Sequence, residues 1–142
     1  MVTNRTFTMI KPDAIEANNH GFILEKILAS GFKIIAMKMV LLSGYQAKKF
    51  YKIHEGKPFF KDLIDFITRG PVIVAVLNKK NAVEDFRNLI GATDPNKAEN
   101  GTIRKLFAKS VGENAIHGSD SNDNAKIESS FHFSTSEIFN EI

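Results

Sequence analysis

The chain has 142 residues, 43% hydrophobic and 25% charged, with a formal net charge of +3 and no cysteine. That length suits one domain with a single core. The lack of cysteine excludes disulfides and thiolate metal sites, and no apolar run approaches the ~18 residues a transmembrane helix needs. The small basic excess suits anionic partners such as nucleotides or nucleic acid, but it falls well short of the dense patch of a dedicated nucleic-acid binder, so no dedicated nucleic-acid binding is expected. Met1 to Phe7 is polar and does not read as a signal peptide, which makes the cytoplasm the expected location.

Thr3 to Ile10 is rich in β-branched and aromatic residues and reads as a strand, ended by Lys11-Pro12-Asp13. His20 to Ser30 carries Ile23, Leu24, Ile27 and Leu28 at helical spacing, and Gly31 supplies the stop. Lys33 to Leu42 reads as a second strand, with Ile35, Met37, Met39 and Leu41 in alternation. Ser43 with Gln46 matches a capping box, and the helix it opens sets Ala47, Phe50, Tyr51 and His54 on one face. A helix follows from about Phe60 to Arg69, closed by Gly70-Pro71.

Val72 to Leu77 is continuously apolar, as expected of a central strand covered on both faces. Asn81 with Glu84 reads as a helix N-terminus, and Gly91 as that helix's end. From Ala92 to Asp123 the chain is polar and dotted with glycine, with a short helix at Ile103 to Phe107 and a fourth short strand within Val111 to Ser119. Long irregular segments of this kind are often functional. Ala125 to Phe133 fits a strand with Ile127, Phe131 and Phe133 on one face, or a helix starting near Ser121 that turns Ile127 and Phe131 to the core. The run Ser121-Asn122-Asp123-Asn124 favours the helix. Two βαβ-like crossovers on one small sheet predict an α+β fold, a ferredoxin-like βαββαβ sandwich with a four-stranded antiparallel sheet.

The segment Asn114-Ala115-Ile116-His117-Gly118-Ser119-Asp120-Ser121 surrounds a histidine with glycine, small hydroxyls and a carboxylate. A neutral imidazole can attack phosphorus and form a covalent intermediate. The chain has no glycine-rich Walker loop, no H-R-D triplet and no clustered carboxylates, and its histidines at 20, 54, 117 and 132 lack metal-ligand spacing. Nor is there the basic-glycine-aromatic signature of an RNA-binding sheet.

The run around His117 resembles the N-x-x-H-G-S-D-S signature of the nucleoside diphosphate kinase family. Four further segments are similar to that family in order and spacing: Arg5 to Asp13, His54-Glu55-Gly56-Lys57-Pro58-Phe59-Phe60, Gly91-Ala92-Thr93-Asp94-Pro95 and Gly101-Thr102-Ile103-Arg104. The resemblance spans nearly the whole chain, taken as one domain over residues 1–142, and its length resembles that of bacterial members. It implies ping-pong transfer of the γ-phosphate of a nucleoside triphosphate, typically ATP, to a ribo- or deoxyribonucleoside diphosphate. The intermediate is a pros-phosphohistidine on His117.

The same resemblance implies that Lys11 and Asn114 contact the sugar hydroxyl, Lys11 also the transferring phosphate, and that Arg87, Thr93 and Arg104 bind phosphates. Phe59 stacks on the base, Val111 closes its other side, and Phe60 belongs to the core. Tyr51 and His54 lie near the phosphates, with packing the alternative for His54. Ser119 and Glu128 orient the imidazole. Magnesium is the implied cofactor, carried by the nucleotide phosphates with no direct protein ligand. A homo-oligomer, hexamer or tetramer, is implied as well. Lys57 stands where many members have arginine, and Asn96 to Asn100 diverges in a loop the family uses at subunit contacts.

Overall fold

The computed structural model describes residues 4–140; Thr3, the expected start of the first strand, lies outside them. In chain order the elements are β1 (Arg5–Ile10), α1 (Pro12–Glu16), α2 (His20–Ala29), β2 (Lys33–Val40), α3 (Gly44–Phe50), α4 (Phe60–Thr68), β3 (Val72–Asn78), α5 (Ala82–Ile90), α6 (Ile103–Phe107), β4 (Ile116–Gly118) and α7 (Asn122–His132). Single 3-10 turns occur at Lys52–His54 and Thr135–Glu137. The described strands form one sheet in the order β2-β3-β1-β4, antiparallel throughout. This is the expected ferredoxin-like layout, with the apolar Val72 to Leu77 buried at its middle.

The sheet separates two apolar layers where one core was expected. Ile10, Ile73, Ala75, Leu77 and Ile116 face α2, α5 and α6 through Ile23, Ile27, Phe86, Ile90 and Ile103. On the other side Phe7, Met9, Val74 and Val76 face α3 and α4 through Ala47, Ile64 and Ile67, with Phe133 from the end of α7. Strand alternation divides the side chains between the two layers.

Local chemistry explains where the elements begin. Ser43 Oγ accepts the Gln46 N–H while Gln46 Oε1 accepts the Ser43 N–H, so the capping box of α3 is complete. Ser121 Oγ accepts the Asn124 N–H and starts α7, which resolves the strand-or-helix alternative as a helix. Asn81 does not cap α5 as its spacing suggested. It sits at φ 56°, its side chain makes no capping bond, and its amide reaches Glu84 instead.

Two other expectations are corrected and one is extended. The first strand stops before Lys11-Pro12-Asp13 as expected, and Pro12 and Asp13 then open α1: proline is preorganised for a first helical turn, and an acid there meets the positive end of the helix. The alternation of β2 breaks at an irregularity between Ile34 and Ala36. One extra residue puts Ile35 and Ala36 both inside and leaves Met37, Met39 and Leu41 50%, 54% and 65% exposed. In α7, Ala125 and Ser129 are buried and Ile127 is 65% exposed; the inward face runs through 125, 128 and 129, the side that carries Glu128.

Candidate active site

Strand β1 delivers Lys11 at its end, and β4 pairs beside it with His117 opposite Met9. The Lys11 N–H donates to Ala115 O at 2.8 Å, and Thr8 Oγ1 donates to His117 O at 2.8 Å. These bonds fix the chain on both sides of the imidazole. Lys11 is buried, and its ammonium donates to Asn114 Oδ1 at 2.8 Å.

The imidazole of His117 is held from behind. Its Nε2 lies 2.9 Å from Glu128 Oε1, which also accepts the Ser119 hydroxyl at 2.6 Å. Both His117 and Glu128 keep about a fifth of their side-chain surface, 23% and 19%. With the proton on Nε2 donated to a carboxylate, the Nδ1 lone pair is left as the nucleophile. Phe7 and Phe50 flank the ring at 6.2 and 6.0 Å between centroids.

His117 lies on the wall of a cleft of about 980 Å³. Lys11, Tyr51, His54, Phe59, Arg87, Thr93, Arg104, Val111, Asn114 and Glu128 all line it; Ser119 stands just behind, fully buried. Every site residue expected from the sequence is therefore gathered at one place. Tyr51 and His54 reach it by a route the periodicity did not anticipate. Helix α3 ends at Phe50, Tyr51 caps it, and His54 belongs to the 3-10 turn. At the mouth Phe59 and Val111 are 49% and 55% exposed, while Phe60 packs against the second core as expected.

Charges of both signs line the cleft, Lys11, Arg69, Arg87 and Arg104 against Asp62, Glu113, Asp120 and Glu128. Burial, and then Arg104, hold the Lys11 ammonium down to about 8 from the usual lysine value. Burial, and then Arg87, lower Arg104 to about 10. The Arg104 guanidinium donates to Gly91 O at 3.0 Å and Ile116 O at 2.8 Å, and its buried Nε has no partner among the described residues. The Tyr51 hydroxyl is buried and equally unpartnered, and burial followed by the charge of Glu128 raises its pKa. Burial and Lys57 lower that of His54, whose Nδ1 lies 3.1 Å from the Lys57 ammonium. Of the four cations, Arg69 is paired with Glu16 and Glu113, while Lys11, Arg87 and Arg104 make no ion pair with a described residue and so are available to an anion in the cleft. Phosphates fit, since planar guanidinium forks match their oxygens.

No group of three or more His, Asp or Glu able to hold a metal exists among the described residues.

Sequence reasoning quoted Asp13 inside a motif but assigned it nothing, and it passed over His132. Asp13 is buried with its Oδ2 on the Ala115 N–H at 3.0 Å; the Lys-Pro-Asp helix start was the available signal. His132 stacks on Phe7 at 5.2 Å behind the nucleophile, and burial, followed by Lys38, takes it down to about 4. No periodicity marks it, because its partners come from other elements.

The family model for nucleoside diphosphate kinase matches residues 4–138. The chain is 55% identical over 139 residues to a nucleoside diphosphate kinase of Flavobacterium psychrophilum, covering 98% of this chain and 100% of that protein. It is 52% identical over 133 residues to one of Chloroherpeton thalassium, covering 94% of each. Among solved structures, the Aquifex aeolicus nucleoside diphosphate kinase superposes with a TM-score of 0.93 at 40% identity, over 96% of this chain and 99% of that one. A Halobacterium salinarum nucleoside diphosphate kinase in complex with CDP gives 0.94 at 35% identity, over 100% and 94%. Family model, relatives and structures agree over almost the full length, and this chain belongs to the nucleoside diphosphate kinase family.

Proposed function

We propose that the protein works as a single-domain nucleoside diphosphate kinase whose phosphate passes through His117 Nδ1. The observation that carries this is the oriented imidazole, fixed by Glu128 and Ser119, on the wall of a cleft with three cations that lack carboxylate partners. In the first half-reaction the Nδ1 lone pair attacks the γ-phosphorus of a nucleoside triphosphate, typically ATP. The bond from phosphorus to the β,γ-bridging oxygen breaks, and the diphosphate leaves with that electron pair. A second nucleoside diphosphate then attacks the phosphohistidine through its terminal oxygen, and Nδ1 recovers its lone pair.

In this reading Arg87, Arg104 and Thr93 hold the phosphates, and Lys11 with Asn114 holds the sugar hydroxyl, Lys11 also meeting the transferring group. Positioning and charge stabilisation dominate phosphoryl transfer, so donors fixed before the nucleotide arrives supply most of the catalysis. Tyr51 and His54 complete the phosphate end. Phe59 stacks on the base and Val111 covers it; an aromatic face accepts any base, which suits an enzyme that takes many nucleotides, ribo and deoxyribo alike in this reading. Magnesium carried by the nucleotide would supply charge neutralisation at the phosphates, with no protein residue assigned as its direct ligand and His54 at that end of the cleft. The protein acts in the cytoplasm and assembles as a homo-oligomer, a hexamer or tetramer. The exposed methionines of edge strand β2 support the assembly.

Incubation with ATP labelled at its terminal phosphate and magnesium tests the reading. Expected are an acid-labile label on the native protein, its loss on addition of any nucleoside diphosphate, and no label on His117→Ala. A native protein that takes up no label overturns it.

A further inference from the structure

Asp13 is a buried carboxylate to which phosphoryl transfer, as described, gives no task. It is 2% exposed, and its Oδ2 accepts the Ala115 N–H at 3.0 Å, with its own and the Ala14 N–H also close to the carboxylate. Burial raises its pKa, and the Ala115 N–H is the hydrogen bond that opposes this most. What it grips is also unusual. Ala115 is fully buried at φ 73°, and the Ile116 N–H donates to Asn114 O at 2.9 Å across it. That is a three-residue turn in the strained, rarely used form, where a side chain crowds the following carbonyl.

The turn sits where the site is assembled. Asn114 enters it and aims its amide at Lys11, Ile116 leaves it with its carbonyl on Arg104, and His117 comes next. The Lys11 N–H holds Ala115 O from the same side, so the Lys11 to Asp13 segment grips both polar groups of the strained residue.

We propose that Asp13 is a positioning residue: its carboxylate holds the Ala115 turn that sets Asn114 and His117 around the transferring phosphate. The proposal rests on the reading of His117 given above. A neutral amide at position 13 could still accept the Ala115 N–H, whereas a methyl group could not.

Full-length Asp13→Ala and Asp13→Asn proteins test this. Asp13→Ala is expected to lose kcat on the order of 10²-fold, with KM changed far less, because a displacement near ~1 Å at the reacting atoms has that effect. Asp13→Asn is expected to recover most of kcat, since its amide oxygen can still hold the turn. Native-like kcat in Asp13→Ala, a KM that moves as much as kcat, or an Asn variant as slow as the Ala variant overturns the proposal. If Asp13→Ala does not fold, Asp13→Asn decides alone: near-native kcat supports the proposal and a loss on the order of 10²-fold overturns it. A native protein without label on His117 removes the underlying reading instead, so the two failures are distinguishable.

Discussion

At the scale of single residues, Glu128 shows how a position can matter through hydrogen-bond direction alone. As a carboxylate it only accepts, and one oxygen, Oε1, takes both the His117 Nε2 proton and the Ser119 hydroxyl. Glu128→Ala removes that acceptor, so nothing keeps the proton on Nε2 and the lone pair on Nδ1. Phosphohistidine formation is expected to fall on the order of 10²–10³-fold, while nucleotide affinity holds, as when the group that orients another catalytic imidazole is lost. Single-turnover labelling against equilibrium binding separates the two; loss of both together would contradict the assignment. Lys11 gives a second prediction, with opposite signs for activity and stability. Its value of about 8 in the folded protein lies below the ordinary 10.5. Activity as kcat/KM is therefore expected to decline above about pH 8 as the ammonium empties. Between these two values the unfolded chain binds more protons than the folded one, so stability from this group rises with pH across that window. Denaturant midpoints at pH 8 and pH 10 should show this rise in the native protein, and Lys11→Met should remove it.

At the scale of elements, the short strand β4 brings the nucleophile up against α5, and glycine makes that approach possible. A Cβ on Gly118 would lie 2.9 Å from Phe86 Cδ2 and 3.1 Å from Ile90 Cδ1, both in the core. Gly118→Ala should therefore cost about 1–3 kcal/mol in denaturant-monitored unfolding and should slow transfer as well, because relief can only come by lifting β4 and His117 away from the helix. A midpoint and a kcat both equal to native would show that the packing yields without moving the strand. Gly91 presents the same logic at a helix end: its φ of 86° and a Cβ position 2.6 Å from Thr102 Oγ1 admit no side chain. The elements themselves were legible in the sequence wherever one local rule governed. Val72 to Leu77 needed only its unbroken apolar run, and α3 and α7 only their capping residues. Prediction failed where distant groups decide. The break in β2 answers to its pairing with β3, and the inward face of α7 to the sheet beneath it. The left-handed Ala115 answers to Asp13, which is 102 residues away. The site residues were legible by resemblance, whereas their order in space, with Glu128 behind the imidazole and three cations before it, required the fold.

At the scale of the molecule, the sheet ends on one side in β2, whose only strand neighbour among the described residues is β3, although the Phe139 N–H donates to Ile35 O at its irregularity. An edge strand leaves a row of backbone donors and acceptors open to pairing, and soluble proteins usually blunt such edges with charge, proline or cover. Here the outer positions are instead Met37, Met39 and Leu41, each at least half exposed, and the break at Ile34 to Ala36 is what turned them outward. An apolar edge of this kind is satisfied by a second copy of the same edge, since two-fold symmetry brings like against like and pairs two antiparallel strands at once. The active cleft lies at the opposite end of the strand order, where β1 meets β4, so contact through β2 leaves the nucleotide entrance open. The native protein is therefore expected to run in solution as an even-numbered assembly, measured by light scattering coupled to size exclusion. Met39→Lys places a charge in the middle of the contact and should yield a smaller species. Its labelling on His117 should persist, since the cleft is built within one chain. A native mass equal to one chain, or a Met39→Lys protein of unchanged mass, would show that this edge is not the contact.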